Sequence, residues 1–275
     1  MPYFKNRDGY RIFYEDFREN ESGGTIILLH GFASSVAFFK EQIKVLKNYF
    51  RIIAFDALGH GRSDHPKELD LTKNLRYNII RDLEDLLNFL EIKDHFGIIG
   101  HSLVGGMIGQ LFCLKHPDKV KFLILLNSGY IIIDNVIRSC FYNLLPYNIR
   151  MNFLEVVGNS VEIILDKVMP YLKTALLASM NGAKIELEKL EMYIEDQIFR
   201  MVREIQEYDP SEIKCPTLII GGRLDNFAPE AMSEELHKKI PNSKLEIIDM
   251  AGHFAPAQRN EVINELICNF IREIN

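Results

Sequence analysis

Two apolar rhythms alternate along this chain. Thr25-Ile26-Ile27-Leu28-Leu29 and Arg51-Ile52-Ile53-Ala54-Phe55 are near-continuous apolar runs of strand length, the pattern of strands covered on both faces. Phe96 to Ile99, Lys121 to Leu126 and Thr217 to Ile220 read as further strands of this kind, and Lys244 to Asp249 as a last strand. Between them apolar residues recur at spacings of three and four. Ile43, Leu46 and Phe50 predict a helix over Ala37 to Tyr49, and Leu75, Ile79, Leu83, Leu86, Leu87 and Leu90 predict another over Asn74 to Leu90. Further helices are predicted from Leu103 to Lys115, closed by His116-Pro117, from Pro229 to Ile240, and from Gln258 to Glu273. Ahead of all this, Tyr3 to Lys5 and the alternating Tyr10 to Asp16 flank an Asp8-Gly9 turn and predict a hairpin.

The alternation breaks once. From Tyr130 to Asp209 no buried strand is evident, but Val161, Ile164, Val168, Leu172 and Leu176, then Leu187, Leu190, Ile194, Ile198, Met201 and Ile205, outline two apolar helical faces. The segment therefore reads as a helical insertion. Strands alternating with helices imply a mostly parallel sheet with helices on both faces, and such sheets place their sites at the carboxyl ends of the strands. The unusual polar motifs fall there: His30-Gly31-Phe32, Asp56 to Asp64, Ser102, Asp225 and His253.

Composition narrows the class. With 275 residues, 47% of them hydrophobic, the chain can bury a sizeable core. Its formal charge of −6 and the absence of a basic stripe argue against a nucleic-acid surface. Apolar runs fall far short of the ~20 residues that span a bilayer. The opening Met1 to Asn6 lacks the apolar core of a signal peptide, and Cys113, Cys140, Cys215 and Cys268 have no metal or disulfide spacing, so a reducing, cytoplasmic home is expected.

The candidate chemistry centres on Gly100-His101-Ser102-Leu103. It fits four positions of the nucleophile elbow G-x-S-x-G, with Val104 in place of the final glycine and glycines only at Gly105 and Gly106. A serine hydroxyl near neutral pH needs a base and a group that orients the base. Asp225 and His253 follow in the order Ser, Asp, His, each just past an apolar strand run. Taken singly, Asp225 could instead cap the helix that follows Pro229, and His253 could be an ordinary loop histidine. His30, His60, Asp56 and Asp64 read as loop anchors that hydrogen-bond nearby backbone, and His101 is expected to point away from Ser102.

His30-Gly31-Phe32, Asp56 to Asp64, Gly100 to Leu103, Gly222 to Pro229 and Ala251 to Phe254 together resemble the α/β-hydrolase superfamily, in its soluble, lidded serine-hydrolase branch of esterases, lactonases and C–C hydrolases. The resemblance implies an α/β fold: an eight-stranded, mostly parallel sheet flanked by helices, with residues 1–129 and 210–275 as core and 130–209 as a helical cap. It implies Ser102 as nucleophile, His253 as base, Asp225 as its orienting acid, and the backbone N–H groups of Phe32 and Leu103 as the oxyanion hole. Phe38, Phe39 and Tyr130 are candidate substrate contacts. The expected activity is carboxylesterase-like hydrolysis of a small or medium, largely apolar ester, thioester or lactone through an acyl-enzyme. No cofactor, metal, nucleic acid or membrane span is expected, and the protein is expected to be a monomer or homodimer. The same residues would serve a C–C hydrolase or lyase, or a slow ligand sensor on this fold. Val104 departs from the family's small residue and is expected to be absorbed by small neighbours or a displaced helix.

Overall fold

The computed structural model describes residues 2–19, 23–31, 34–64, 75–129 and 208–274, with backbone only for 75–78. The chain divides into two units, Met1–Tyr130 with Asp209–Asn275, and Ile131–Tyr208. The predicted helical faces between residues 130 and 207 lie outside the described residues.

Eight strands form one sheet. They are β1 (Tyr3–Lys5), β2 (Arg11–Phe17), β3 (Thr25–Leu29), β4 (Arg51–Phe55), β5 (Phe96–His101), β6 (Val120–Leu126), β7 (Thr217–Gly222) and β8 (Ser243–Ile248), in spatial order β1-β2-β4-β3-β5-β6-β7-β8. β1 and β2 pair antiparallel, as β2 does with β4, whereas every pairing from β4 to β8 is parallel. The described helices are α1 (Lys40–Leu46), α2 (Leu75–Phe89), α3 (Ser102–Lys115), α4 (Glu230–Lys239), α5 (Ala255–Gln258) and α6 (Asn260–Glu273).

The continuous apolar runs conceal an alternation between two cores. Ile27, Leu29, Ile53, Phe55, Ile98, Leu123, Leu125 and Ile219 enter one cluster with α2 and α3, through Leu83, Leu86, Ile108 and Phe112. Their neighbours Ile26, Leu28, Ile52, Ala54, Ile99, Ile124, Leu126 and Ile220 enter the other with α1 and α6, through Ile43, Leu46, Ile263 and Ile267. Successive side chains point to opposite faces, so a strand between two helical layers must be apolar at every position. β8 differs. As an edge strand it exposes Lys244 and Glu246, charges that discourage pairing with another chain.

Two predicted helices are shorter than their periodicity. Ala37 to Tyr49 becomes a 3₁₀ turn, Val36–Phe39, followed by the seven-residue α1. The last helix is preceded by the separate turn α5, which Pro256 opens and Arg259, at φ −122° and ψ 37°, ends. Proline fits a first turn, where its missing N–H has no helical acceptor. Cys113 and Cys215, 102 residues apart, lie side by side as free thiols with their sulfurs 3.9 Å apart.

Candidate active site

The carboxyl end of β5 turns directly into α3 at Ser102, whose φ of 64° puts a non-glycine residue in the left-handed region. Such a conformation costs ~1–3 kcal/mol and persists only where packing enforces it. Here glycines on both sides permit the packing. A Cβ on Gly100 would lie 2.5 Å from the carbonyl oxygen of Gly105, and one on Gly105 would lie 2.3 Å from that of Leu29. Strand, helix and the loop after β3 therefore approach through Gly105, three residues beyond the serine. Val104 is half-buried and packs toward Leu29, Phe55 and Ile108 beside a cavity of about 10 Å³. The small residue this elbow requires is thus Gly105, and the bulk of Val104 meets ordinary apolar neighbours.

From this turn Ser102 reaches a hydrogen-bonded chain. Its Oγ lies 2.9 Å from Nε2 of His253, whose Nδ1 lies 2.9 and 3.1 Å from the two carboxylate oxygens of Asp225. An ionised carboxylate only accepts, so Nδ1 carries the proton and Nε2 is left to accept from the serine hydroxyl. The Asp225 side chain is fully buried and that of His253 is 11% exposed. Asp225 follows β7 in a tight turn, where Oδ1 also accepts from the N–H groups of Phe227 and Ala228 at 2.8 and 2.9 Å. It therefore organises its turn and holds the histidine at once. Oδ2 accepts in addition from Asn127 Nδ2 at 2.9 Å. Such an arrangement can take a proton from Ser102 as its oxygen bonds to an electrophile, and hold the resulting imidazolium against a buried negative charge.

The other predicted residues separate into groups. Leu103 is buried in the first turn of α3, where a backbone N–H has no intrahelical acceptor. Phe32 and Tyr130 lie outside the described residues. Phe38 stacks on the His101 ring with centroids 4.0 Å apart. Phe39, the other candidate substrate contact, is fully buried and belongs to the core cluster shared with α1 and α6. His30 anchors a loop as expected, donating from Nδ1 to the Gly31 carbonyl at 2.7 Å and accepting at Nε2 from the Ala57 N–H at 3.0 Å. Burial lowers its pKa to about 4, so it is neutral near pH 7. Asp56 accepts from the Val36 and Arg62 N–H groups, and Asp64 from that of Arg11. Among the described residues no group of three His, Cys, Asp or Glu side chains is arranged to hold a metal ion.

Two residues gained roles that sequence reasoning missed. His101 turns its ring to the loop of His253, and Nε2 donates to the His253 carbonyl at 3.0 Å. Asn127, at the end of β6 with φ 48°, bonds Asp225 and the Gly252 carbonyl through one amino group. The signal available was slight: one polar residue immediately after the run Phe122 to Leu126, of a type that tolerates the left-handed region.

A serine at a left-handed strand-to-helix turn, joined to a histidine and an aspartate at two other strand ends of an eight-stranded sheet, agrees with sequence comparison. The profile of the alpha/beta hydrolase fold family matches residues 24–259. The chain belongs to this family. Over 283 residues it is 28% identical to the uncharacterised hydrolase YugF of Bacillus subtilis (strain 168), covering 96% of each chain. Over 255 residues it is 27% identical to the putative carbamate hydrolase RutD of Caulobacter sp. (strain K31), covering 90% of each. In structure it resembles the meta-cleavage product hydrolase CumD of Pseudomonas fluorescens IP01, with a TM-score of 0.71 and 21% identity over 99% of this chain and 98% of the other. This alpha/beta hydrolase is an enzyme of hydrolytic type, and no helix among its described residues is long and apolar enough to cross a membrane.

Proposed function

We propose that the protein is a serine hydrolase that cleaves a small or medium, largely apolar ester, thioester or lactone through an acyl-enzyme. Ser102 Oγ attacks the acyl carbon as His253 Nε2 takes its proton. The tetrahedral oxyanion is held by the backbone N–H of Leu103 and of Phe32. His253 then gives the proton to the departing oxygen or sulfur, and the same base activates the water that releases the acid. Residues 130–209 form a helical cap that selects the substrate. The observation that carries this reading is the chain Ser102 Oγ, His253 Nε2, His253 Nδ1, Asp225, with each link at 2.9 Å. The carbamate hydrolase relative supports it in kind, since carbamate cleavage is also attack on a carbonyl carbon.

Rapid-mixing kinetics with p-nitrophenyl butyrate test the proposal. A burst followed by steady turnover is expected, and Ser102→Ala is expected to lower kcat by about 10⁴-fold or more. Release of one equivalent without turnover would instead mark a slow ligand sensor on the same fold. Turnover that survives Ser102→Ala would exclude this nucleophile.

A further inference from the structure

The proposed base sits in the loop between β8 and α5, where a ring must be aimed from irregular backbone. The backbone just before it packs closely on the end of β7, where a Cβ on Gly222 would lie 2.5 Å from the Ala251 carbonyl oxygen and 3.0 Å from that of Gly252, whereas a Cβ on Gly252 itself would meet nothing closer than 3.6 Å. Hydrogen bonds also hold the segment. Three successive carbonyls of the loop each receive a donor from a different strand end. The Ala251 oxygen accepts from the Leu224 N–H at 2.9 Å, in the turn that carries Asp225. The Gly252 oxygen accepts from Asn127 Nδ2 at 3.1 Å, after β6, and from the Ala255 N–H at 3.0 Å. The His253 oxygen accepts from His101 Nε2 at 3.0 Å, at the end of β5.

We infer that His101 and Asn127 are positioning residues that aim the His253 ring by gripping its backbone, joining the proposed nucleophile, acid and base into one hydrogen-bonded frame. Asn127 spends one amino hydrogen on the Gly252 carbonyl and the other on Asp225 Oδ2, so acid and base loops are fixed to the same group. His101 works as a neutral donor. A carbonyl can only accept, which puts the proton on Nε2, and Nδ1 is buried with no partner among the described residues. Burial, then the neighbouring His253, hold its pKa well below the usual histidine value. A charged ring there, with centroids 5.0 Å apart, would oppose the imidazolium that must form on His253. Phe38 stacked at 4.0 Å keeps the His101 ring at the angle this bond requires.

The inference rests on His253 being the base, and its test has an arm that needs no turnover. His101→Phe keeps a ring against Phe38 but loses the donor, His101→Gln restores an N–H, and Asn127→Gly keeps the left-handed backbone while losing the amide. In full-length protein shown to be folded by thermal melting, His101→Phe and Asn127→Gly are each expected to lower kcat for p-nitrophenyl butyrate about 10–100-fold with KM changed less than about 2-fold. His101→Gln is expected to recover part of that loss. The low-field proton resonance of the His253 Nδ1–H held to Asp225, sharp in the parent protein, is expected to broaden or vanish in the two donorless variants. Parent kcat together with an unchanged resonance in His101→Phe overturns the role of His101, and the same result in Asn127→Gly overturns that of Asn127. If His101→Phe does not fold, His101→Leu takes its place in both measurements. Absence of Ser102-dependent turnover in the parent refutes the hydrolase reading alone, because the resonance still reports whether the frame aims the ring.

Discussion

At the scale of single residues, the most consequential ionisable group away from the site is Asp82 on α2. It is 2% exposed, its Oδ1 accepts from Asn6 Nδ2 at 2.7 Å, and its Oδ2 has no partner among the described residues. Burial pushes its pKa up to about 7, with Asp85 and Asp8 adding to the rise and Asn6 and Arg81 opposing it. In the unfolded chain the group titrates near an ordinary ~4, so the folded state binds the extra proton between about pH 4 and pH 7 and stability falls as pH rises through that window. His30 has the opposite sign. Its folded pKa of about 4 lies below the unfolded value, so its contribution is present above about pH 6.5 and is lost as pH falls toward 4. His101, also held well below the usual histidine value by burial, adds a slope of the same sign as that of His30, and Asp82 opposes both in the parent protein. Asp82→Asn keeps an acceptor for Asn6 and removes the opposing slope. Denaturant titrations are expected to find this variant ~2–4 kcal/mol more stable at pH 8, little changed at pH 4, and losing stability on acidification more steeply than the parent across that window.

At the scale of the element, the turn from β5 into α3 explains how a valine sits where the motif leads one to expect a glycine. The backbone of α3 meets the backbone of the β3 loop at Gly105, whose Cβ would also lie 2.7 Å from the His30 carbonyl oxygen. No rotamer change relieves a contact with backbone. Gly105→Ala is therefore expected to destabilise by ~3 kcal/mol or more, at or beyond the usual range for overpacking. Val104→Ala removes part of an apolar contact at a half-buried site and is expected to cost only ~1–2 kcal/mol while ester turnover stays near the parent rate. Equal costs in denaturant midpoints would mean that the close approach is not where the structure has it. Gly31 adds to the same crowding, since its Cβ would stand 2.8 Å from the Ser102 Cβ.

At the scale of the molecule, the unit made of Met1–Tyr130 and Asp209–Asn275 contains both core clusters, all eight strands, and Ser102, Asp225 and His253. The described members of both clusters all belong to that unit. A chain in which a flexible Gly/Ser linker replaces residues 131–207 is expected to melt cooperatively and to retain Ser102-dependent hydrolysis of p-nitrophenyl acetate. If the excised segment is the selective cap proposed above, discrimination between acetate and longer acyl esters is expected to fall. A shortened chain that folds and keeps the parent's acyl-length preference would show that selection resides in the sheet's own loops.

What the amino-acid sequence determined by itself was the architecture and the ends of its strands. Period and length suffice for that, because a strand between two helical layers is apolar at every position and each layer writes a helical face. Ser102, Asp225 and His253 were legible because such a sheet can use only its strand ends, and these three residues stood there. The tertiary structure alone decided the rest, since it depends on contacts between residues far apart in the chain. It alone showed Gly105 to be the tight residue, a matter of how near the β3 loop comes. It buried Phe39 in the 3₁₀ turn before α1, and it brought Cys113 against Cys215. It also turned His101 and Asn127 onto the His253 loop, 152 and 125 residues away in sequence at their bonded partners. No local pattern records a hydrogen bond of that span, for its donor and acceptor meet only when three strand ends lie side by side.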